Sequence, residues 1–166
     1  QIERLQFGGA VGTRHAYGDR GGAMAETMAR ELGLTNGPVW QTDRSSLVMF
    51  ANQLSVVSGI LGKIGQDISL MTQQGIDEIS LSGGGGSSAM PHKSNPILAE
   101  LLVTLARYNA SQMSAMHHSL IHEQERSGAA WALEWMVLPA IAVATARALK
   151  AAADLCAKVT QMGQRE

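Results

Sequence analysis

The sequence contains very little cysteine: Cys156 is the single one among 166 residues. A disulfide within the chain is therefore excluded. Cys156 falls in a helical pattern, which predicts a small buried core residue in a reducing compartment. We accordingly expect a cytoplasmic protein.

Charge is scarce as well. Charged residues make up 16% of the chain and the net charge is −1. No basic surface for a polyanion is indicated, so we expect no nucleic-acid partner. Apolar residues reach 45%, which predicts that partner chains cover much of the helical surface.

Several other features are missing. Polar residues interrupt every apolar stretch, so we expect neither a membrane span nor a membrane partner, and no signal peptide stands out. No segment alternates convincingly like a strand, and no repeat of 20 to 50 residues is present. The first residue is Gln1 rather than Met, and we expect a fragment or a processed piece of a longer protein.

Helical signals cover most of the chain. A short helix is predicted at 19–33, with Gly33 as its C-terminal stop. Longer helices are predicted from Thr42-Asp43 onwards, from Pro96 to about His122, and from Gly128 towards Gly163, the last kinked at Pro139. Helices of roughly thirty residues span about 45 Å. Such lengths indicate a bundle of several subunits.

Apolar residues recur in alternating threes and fours along each long helix, and each such stripe predicts a buried face. The first stripe is Leu47, Phe50, Leu54, Val57, Leu61, Ile64, Ile68 and Met71. The second includes Leu98, Leu102, Leu105, Met113, Met116 and Leu120. The third is Trp131, Trp135, Leu138, Ala142, Thr145, Leu149, Ala152, Cys156 and Val159.

The segment 83–96 stands between two of these helices and begins with four glycines. A flexible linker is one interpretation. The other is a mobile loop that offers backbone N–H groups to an anion, next to a serine nucleophile or base. Asn95 and Pro96 would then be the N-cap and N1 residues of the next helix, with the Lys93 charge just ahead. A phosphate-binding P-loop is excluded because His92 precedes Lys93, and the Gly-x-Ser-x-Gly elbow is also absent.

Other candidate groups are less specific. His118 and His122 share a helix face, but no third ligand completes a metal site, so we expect no metal. Trp131 and Trp135 are expected in the core. An interface ion pair of Glu134 with Arg107 or Arg147 is left open.

The segment Gly86-Ser87-Ser88-Ala89-Met90-Pro91-His92-Lys93-Ser94-Asn95-Pro96 resembles the signature loop of the fumarase/aspartase superfamily, Gly-Ser-Ser-x-Met-Pro-x-Lys-x-Asn-Pro, at every defined position. The resemblance implies an all-α, long-helix bundle built to assemble with other subunits into a homotetramer. Residues 1–166 would be part of the central helical-bundle domain plus the start of the C-terminal region, with the signature loop at 83–96. Superfamily active sites take residues from three subunits, so this chain would supply part of one.

Within the superfamily, the pattern Glu125-Arg126-Ser127, Glu134-Trp135 and Leu138-Pro139 resembles the bacterial 3-carboxy-cis,cis-muconate cycloisomerases. Adenylosuccinate lyases carry a Ser/His-rich run and a second Glu-Arg pair there, which help to bind the nucleotide phosphate. The resemblance therefore implies conversion of 3-carboxy-cis,cis-muconate to γ-carboxymuconolactone, in the protocatechuate branch of the β-ketoadipate pathway. The alternatives are adenylosuccinate lyase-type β-elimination and a non-catalytic helical assembly fragment.

The same resemblance assigns roles to individual residues. Ser87 would be the catalytic acid/base at carbon. The substrate-binding residues would be Ser88, Met90, Lys93, Asn95 and Arg126. Lys93 and Asn95 would hold a carboxylate of the small tricarboxylate substrate and stabilise an aci-carboxylate intermediate. No cofactor and no metal would be needed.

Overall fold

The computed structural model describes residues 3–86, 94–125 and 127–163, and helices dominate them. The helices are α1 (Gly21–Leu32), α2 (Ser45–Met71), α3 (Ile97–His118) and α4 (Gly128–Cys156), with a 3-10 helix at His15–Arg20 ahead of α1. The strands are β1 (Ile79–Leu81), β2 (Gly85–Gly86), β3 (Ser94–Asn95) and β4 (Val159–Met162). The predicted all-α, long-helix architecture is confirmed, whereas the expectation that no strand forms is wrong.

The chain divides into two compact units. Unit 1 consists of Gln1–Ala51 and Ser114–Leu138, and unit 2 consists of Asn52–Met113 and Pro139–Glu166. The boundaries fall inside α2, α3 and α4, so each long helix contributes one part to each unit. In α4 the boundary coincides with Pro139, through which the helix continues.

In unit 1, α1 ends at the glycine that the sequence marks as its stop. Gly33 adopts a left-handed conformation with φ of 67°. This lets the N–H of Leu34 reach the carbonyl of Ala29 at 2.8 Å, which satisfies one of the free carbonyls of the last turn. The small core beside α1 consists of Leu5, Ala25 and Ala29, with Phe7 and Leu34 packed against them.

Also in unit 1, α2 begins at Ser45, two residues after the predicted start at Asp43. Asp43 Oδ1 accepts hydrogen bonds from the Ser45 hydroxyl at 2.5 Å and from the Ser45 N–H at 3.1 Å. These bonds, that of the Ser45 hydroxyl first, lower the pKa of Asp43 because they stabilise its charged form. Asp43 therefore caps the helix from just outside its first turn.

Small residues bring α2 and α3 close together in unit 2. A Cβ added to Gly62 would lie 2.5 Å from the Cβ of Ala106. A Cβ added to Gly65 would lie 2.6 Å from the carbonyl oxygen of Ala99 and 2.8 Å from the Cβ of Leu102. Both glycines are buried, and neither position has room for a side chain. The closest approach of α2 to α3 therefore lies one residue after the predicted stripe, although Ile68 of that stripe is buried and Leu61 and Met71 pack against the same core.

The buried face of α4 also differs from the predicted one, and its shift has the opposite direction. The buried residues are Ala130, Glu134, Val137, Ile141, Ala144, Thr145, Ala148, Ala151 and Leu155. Apart from Thr145, these positions lie one residue before the predicted stripe, which rotates the face by about 100°. Because α4 is apolar on more than one side, its periodicity alone does not select the face that packs within the chain.

The buried stripe of α3 was predicted more accurately. The ends of α3 and α4 were not, because α3 ends at His118 rather than near His122, and α4 ends at Cys156 rather than near Gly163. Leu102, Met113 and Met116 are buried, whereas Leu120 is exposed because α3 ends at His118. The predicted burial of Cys156 is wrong, since it is exposed at the end of α4.

A polar cluster joins three helices inside unit 2. The side-chain amide of Asn109 donates to Ser58 Oγ at 2.7 Å and to Thr145 Oγ1 at 2.9 Å. The Ser58 hydroxyl also donates to the carbonyl of Leu54, and Thr145 to that of Ile141, each at 2.9 Å. Because a one-residue slip of any of these helices would bury unpaired polar groups, the cluster favours a single register.

The strands of unit 2 form two small antiparallel ribbons. β1 pairs with β4 through Ile79–Met162, Ser80–Gln161 and Leu81–Val159, with a register shift between Ser80 and Leu81. The chain after α4 therefore turns back as a strand, where the sequence predicted continued helix. Strands of two to four residues are too short to show an alternating pattern, and they form here through pairing with distant segments.

Large apolar side chains remain exposed on the other faces of α2 and α4. They are Met49, Val56, Ile60, Ile64 and Leu70 on α2, and Trp135, Met136, Val143 and Leu149 on α4. By length and composition both helices qualify as candidate membrane spans, with a mean hydropathy of 1.5 in an 18-residue window. Two such helices are weak evidence of a membrane span, because the core helices of soluble proteins pass the same test.

Candidate functional site

In unit 2, the ends of the signature loop are joined as a hairpin. β2 and β3 pair antiparallel, with Gly85 opposite Asn95 and Gly86 opposite Ser94. Residues 87–93, which connect these strands, lie outside the described residues. The pairing brings the glycine run and the start of α3 together at the base of the loop.

Asn95 is the predicted site residue that the structure describes. It lies in β3, and α3 begins two residues later at Ile97. In the first backbone hydrogen bond of the helix, the N–H of Glu100 donates to the carbonyl of Pro96 at 3.0 Å. The prediction that Asn95 caps the helix is therefore wrong, because strand pairing holds its backbone one residue outside the cap position. Its side chain is free of that role, half-buried at the hairpin base.

The other predicted site residues lie outside the described residues. They are Ser87, Ser88, Met90, Lys93 and Arg126. Their roles stay predictions.

A large cleft of about 1320 Å³ lies beside the hairpin base in unit 2. The glycine run, β3 and the start of α3 form one side of it, and the end of α4 forms another. Lining residues relevant to chemistry are Gly83, Gly84, Gly85, Asn95, Glu100, Asp154 and Lys158. The cleft therefore combines backbone groups, an amide, carboxylates and one ammonium among its described lining residues.

In unit 1, the Gly8–Gly12 segment folds as a tight turn. The N–H of Arg14 donates to the carbonyl of Gly8 at 2.9 Å, and Arg14 Nε donates to the carbonyl of Phe7 at 2.5 Å. A Cβ added to Gly8 would lie 2.8 Å from Val39 Cγ1, so this position has no room for a side chain. The turn closes against the segment that precedes α2.

That turn borders a second cavity, of about 350 Å³, which also lies within unit 1. Its lining residues are Gln6, Phe7, Gly8, Gly9, Tyr17, Gln41, Arg44, His122, Glu125 and Trp131. Gln41 Nε2 donates to the carbonyl of Ala10 at 3.3 Å and to that of Glu125 at 3.1 Å. Gln41 therefore ties the glycine-rich turn to the connection between α3 and α4.

A buried ion pair forms one wall of this cavity. Arg44 donates from Nε to Glu134 Oε2 at 2.8 Å and from Nη2 to Oε1 at 2.6 Å. The side chains of Arg44 and Glu134 are 13% and 4% exposed, and the Arg44 guanidinium also stacks on Trp40 with 5.1 Å to the ring centroid. Two parallel bonds fix the guanidinium in one orientation.

Arg44 lies in no sequence motif and is not among the predicted site residues. Arg107 and Arg147, the partners considered for Glu134, are exposed, and that pairing is wrong. The actual partners stand 90 residues apart, a separation at which a single sequence carries no pairing signal. The one hint was a carboxylate in the otherwise apolar first half of α4, because a buried charge requires a partner.

The tryptophans near this cavity differ from their predicted core position, and the histidines near it differ from one another in burial. Trp135 is 65% exposed, so its predicted core position is wrong, while Trp131 is half-buried and meets it edge to face at 5.0 Å. His117 and His118 are exposed at the end of α3. Both ring nitrogens of His122 are buried and have no hydrogen-bond partner among the described residues.

The turn between α3 and α4 is stabilised by Ser127. Its hydroxyl accepts from the N–H of Ala130 at 3.4 Å, which caps α4. A hydrogen bond from the same side chain is the main cause of a lowered pKa for the exposed Glu123. Across the described residues, no cluster of three or more histidine, cysteine or acidic side chains is arranged to hold a metal.

The chain is similar to a known protein family and to individual enzymes. A protein-family model described as "Lyase" matches residues 1–110. The 3-carboxy-cis,cis-muconate cycloisomerase of Pseudomonas aeruginosa is 41% identical over 91% of this chain and 34% of its own length. That of Acinetobacter baylyi is 38% identical over 90% of this chain and 34% of its own length.

A solved structure agrees with the fold. The 3-carboxy-cis,cis-muconate lactonizing enzyme of Pseudomonas putida superposes with a TM-score of 0.87 at 37% identity, covering 96% of this chain and 36% of that one. This chain thus spans about a third of the length of the relatives it matches. With the family match, the signature hairpin and the long-helix fold together, the chain belongs to the lyase family of the fumarase/aspartase superfamily.

Proposed function

We propose that the protein carrying this chain is a 3-carboxy-cis,cis-muconate cycloisomerase. The observation that carries the proposal is the similarity to enzymes of that name over about nine tenths of this chain. The hairpin that joins the two ends of the signature loop supports it, since the proposed chemistry depends on that loop. The small, apolar residues after Ser127 also favour a substrate without a phosphate group.

The proposed reaction is an isomerisation that requires no co-reactant. One substrate carboxylate oxygen forms the C–O bond of the lactone by adding to a C=C bond. The π electrons move into the neighbouring carboxylate group to give the aci-carboxylate, which then takes a proton at the adjacent carbon. Ser87 is the proposed proton donor, and Lys93 and Asn95 stabilise the charge that develops on the intermediate.

The remaining predicted residues are proposed to bind the substrate. Ser88 and Met90 would contact it from the loop, and Arg126 would pair with a second carboxylate through its planar guanidinium. In unit 1, the fixed guanidinium of Arg44 is neutralised by Glu134, so we assign Arg44 no carboxylate of the substrate.

The proposal includes assembly as a homotetramer. The exposed apolar side chains of α2 and α4 support it, with Trp135, Met136 and Val143 each at least 65% exposed in the single chain. Contiguous apolar faces of this kind are typical of surfaces that other subunits cover. We also place the protein in the cytoplasm, where a free, exposed Cys156 stays reduced.

The test uses the whole purified protein and the ultraviolet absorbance of 3-carboxy-cis,cis-muconate. Wild type is expected to remove the conjugated-diene absorbance, and Ser87→Ala is expected to lose at least about a hundredfold in kcat. The control is Ser114→Ala, which alters an exposed serine of α3 and should retain full activity.

Other outcomes would redirect the assignment. Absence of turnover by wild type would refute the cycloisomerase, and cleavage of adenylosuccinate in the same preparation would identify the β-elimination alternative. If neither substrate reacts and Ser87→Ala and Lys93→Ala change no property, a non-catalytic helical assembly module would be the better description.

A further inference from the structure

Lys158 is held against the start of the glycine-rich segment in unit 2. Its carbonyl accepts hydrogen bonds from the N–H of Ser82 at 2.8 Å and from the Ser82 hydroxyl at 3.3 Å. β4 extends this contact, because Thr160 Oγ1 donates to the carbonyl of Ser80 at 3.1 Å. The backbone of Lys158 is therefore fixed relative to the residues that lead into the signature hairpin.

The Lys158 side chain also lies against the glycine-rich segment. A Cβ added to Gly83 would lie 3.3 Å from Lys158 Nζ, and Gly83 has a φ of 64°. The ammonium group thus lies beside the backbone of the glycine run. It lines the same cleft as Gly84, Gly85 and the amide of Asn95.

The Lys158 ammonium has no counter-charge in the part of the chain that the structure describes. The ion pairs there are Arg30–Glu31, Arg44–Glu134, Lys63–Asp67 and Lys150–Asp154. Asp154, one helical turn before Lys158, is the nearest acidic residue in sequence, and it pairs with Lys150 at 3.4 Å. An ammonium without a carboxylate partner, on a half-buried residue, favours binding of an anion.

Two further carboxylates line the cleft, and each has a local role. Asp77 Oδ2 accepts from the N–H of Gly75 at 2.9 Å. Glu100 lies in the first turn of α3, where the positive end of the helix dipole favours a negative charge. Neither is within salt-bridge distance of Lys158.

We infer that Lys158 is a carboxylate-binding residue of the cleft beside the hairpin base and contacts the substrate through Nζ. The inference rests on the proposed function, whose substrate carries three carboxylates. The family resemblance supplies Lys93, in the signature loop, as a cation for one of them. Lys158 supplies a cation for another, from a part of the chain that no signature motif marks.

A kinetic comparison in the whole protein tests this role. Lys158→Met keeps most of the aliphatic stem and removes the charge, and it is expected to raise KM about tenfold with kcat within about twofold. Lys158→Arg should restore most of the affinity. The control is Lys63→Met, which removes an exposed ammonium of α2 away from the cleft and should leave KM unchanged. A KM for Lys158→Met equal to that of the control, or a fall in kcat alone, would overturn the inference.

A second measurement does not depend on turnover. The lysines are converted to ¹³C-dimethyl-lysines, and the signal lost in Lys158→Arg identifies Lys158 in the NMR spectrum. Titration with tricarballylate, against sodium chloride at equal ionic strength, should shift this signal saturably and leave that of Lys63 in place. No saturable shift would overturn the inference.

The two experiments separate the two proposals. Turnover of the muconate by wild type with no effect of Lys158→Met leaves the cycloisomerase standing and removes Lys158 from it. A saturable shift without turnover refutes the cycloisomerase and retains Lys158 as a carboxylate-binding residue.

Discussion

Replacing Gly65 by alanine should destabilise the protein, although alanine is the better helix former. A Cβ at this position would lie 2.6 Å from the carbonyl oxygen of Ala99 and 2.8 Å from the Cβ of Leu102. Both atoms belong to or adjoin the α3 backbone, so neither can move away by a change of side-chain rotamer. Relief requires α2 and α3 to separate, which loosens the packing around them.

The matched control is Gly59→Ala in the same helix. A Cβ at Gly59 meets nothing within 4 Å, so this variant records the gain in helix propensity alone, about 0.5–1 kcal/mol. Gly65→Ala carries the same gain together with an overpacking cost of about 1–3 kcal/mol. Because the propensity contribution cancels between the two variants, their difference in unfolding free energy is the overpacking cost.

The assay compares thermal unfolding of wild type and both variants by circular dichroism at 222 nm. A difference of about 1–3 kcal/mol corresponds to a Tm gap of about 2–12 °C for a chain of this size, with Gly59→Ala the more stable variant. Equal melting temperatures for the two variants would refute the close approach of α2 and α3 at Gly65.

Three further outcomes are expected. Arg44→Met should cost about 3–5 kcal/mol of stability by leaving the Glu134 carboxylate buried without a partner, and adding Glu134→Leu should recover much of that loss in urea unfolding. Ser45→Ala should raise the pKa of Asp43 towards its ordinary value, measured by carboxyl ¹³C NMR. Val143→Glu, on an exposed apolar face of α4, should lower the subunit number of the whole protein in light scattering.

Each of these has a control and a contrary result. Lys150→Met removes an exposed ion pair and should change stability by less than about 1 kcal/mol; an equal cost for Arg44→Met would contradict the buried pair. Ser46→Ala should leave the Asp43 pKa in place. Unchanged assembly of Val143→Glu would contradict the proposed coverage of that face.

The Asp43 titration also sets the sign of a pH effect. Its pKa is lowered in the folded protein, so the contribution to stability is fully present above the unfolded pKa and is lost as the pH falls through the folded pKa. Ser45→Ala should therefore reduce stability at neutral pH, with a smaller difference from wild type in strong acid. The exposed position of Asp43 keeps this effect small.

The site could be predicted from sequence only where a motif carries it. The signature segment at 83–96 indicated the superfamily, because its glycine, serine, lysine and asparagine residues occur together at defined spacings. Lys158 and Arg44 stand outside any such motif. Their neighbours come from distant segments, the glycine run for Lys158 and Glu134 for Arg44, so their surroundings became visible only in the folded chain.

By itself, the sequence determined the helical character, the approximate helix bounds and the stop at Gly33, because backbone propensity and capping are local properties. Only the tertiary structure decided which face of α2 and α4 is buried. Both helices are apolar on several sides, and small residues such as Gly62 and Ala148 allow closer backbone approach than the leucines of the predicted stripes. Close packing between helices therefore selected the buried face, and left the larger apolar side chains on the outside of this chain.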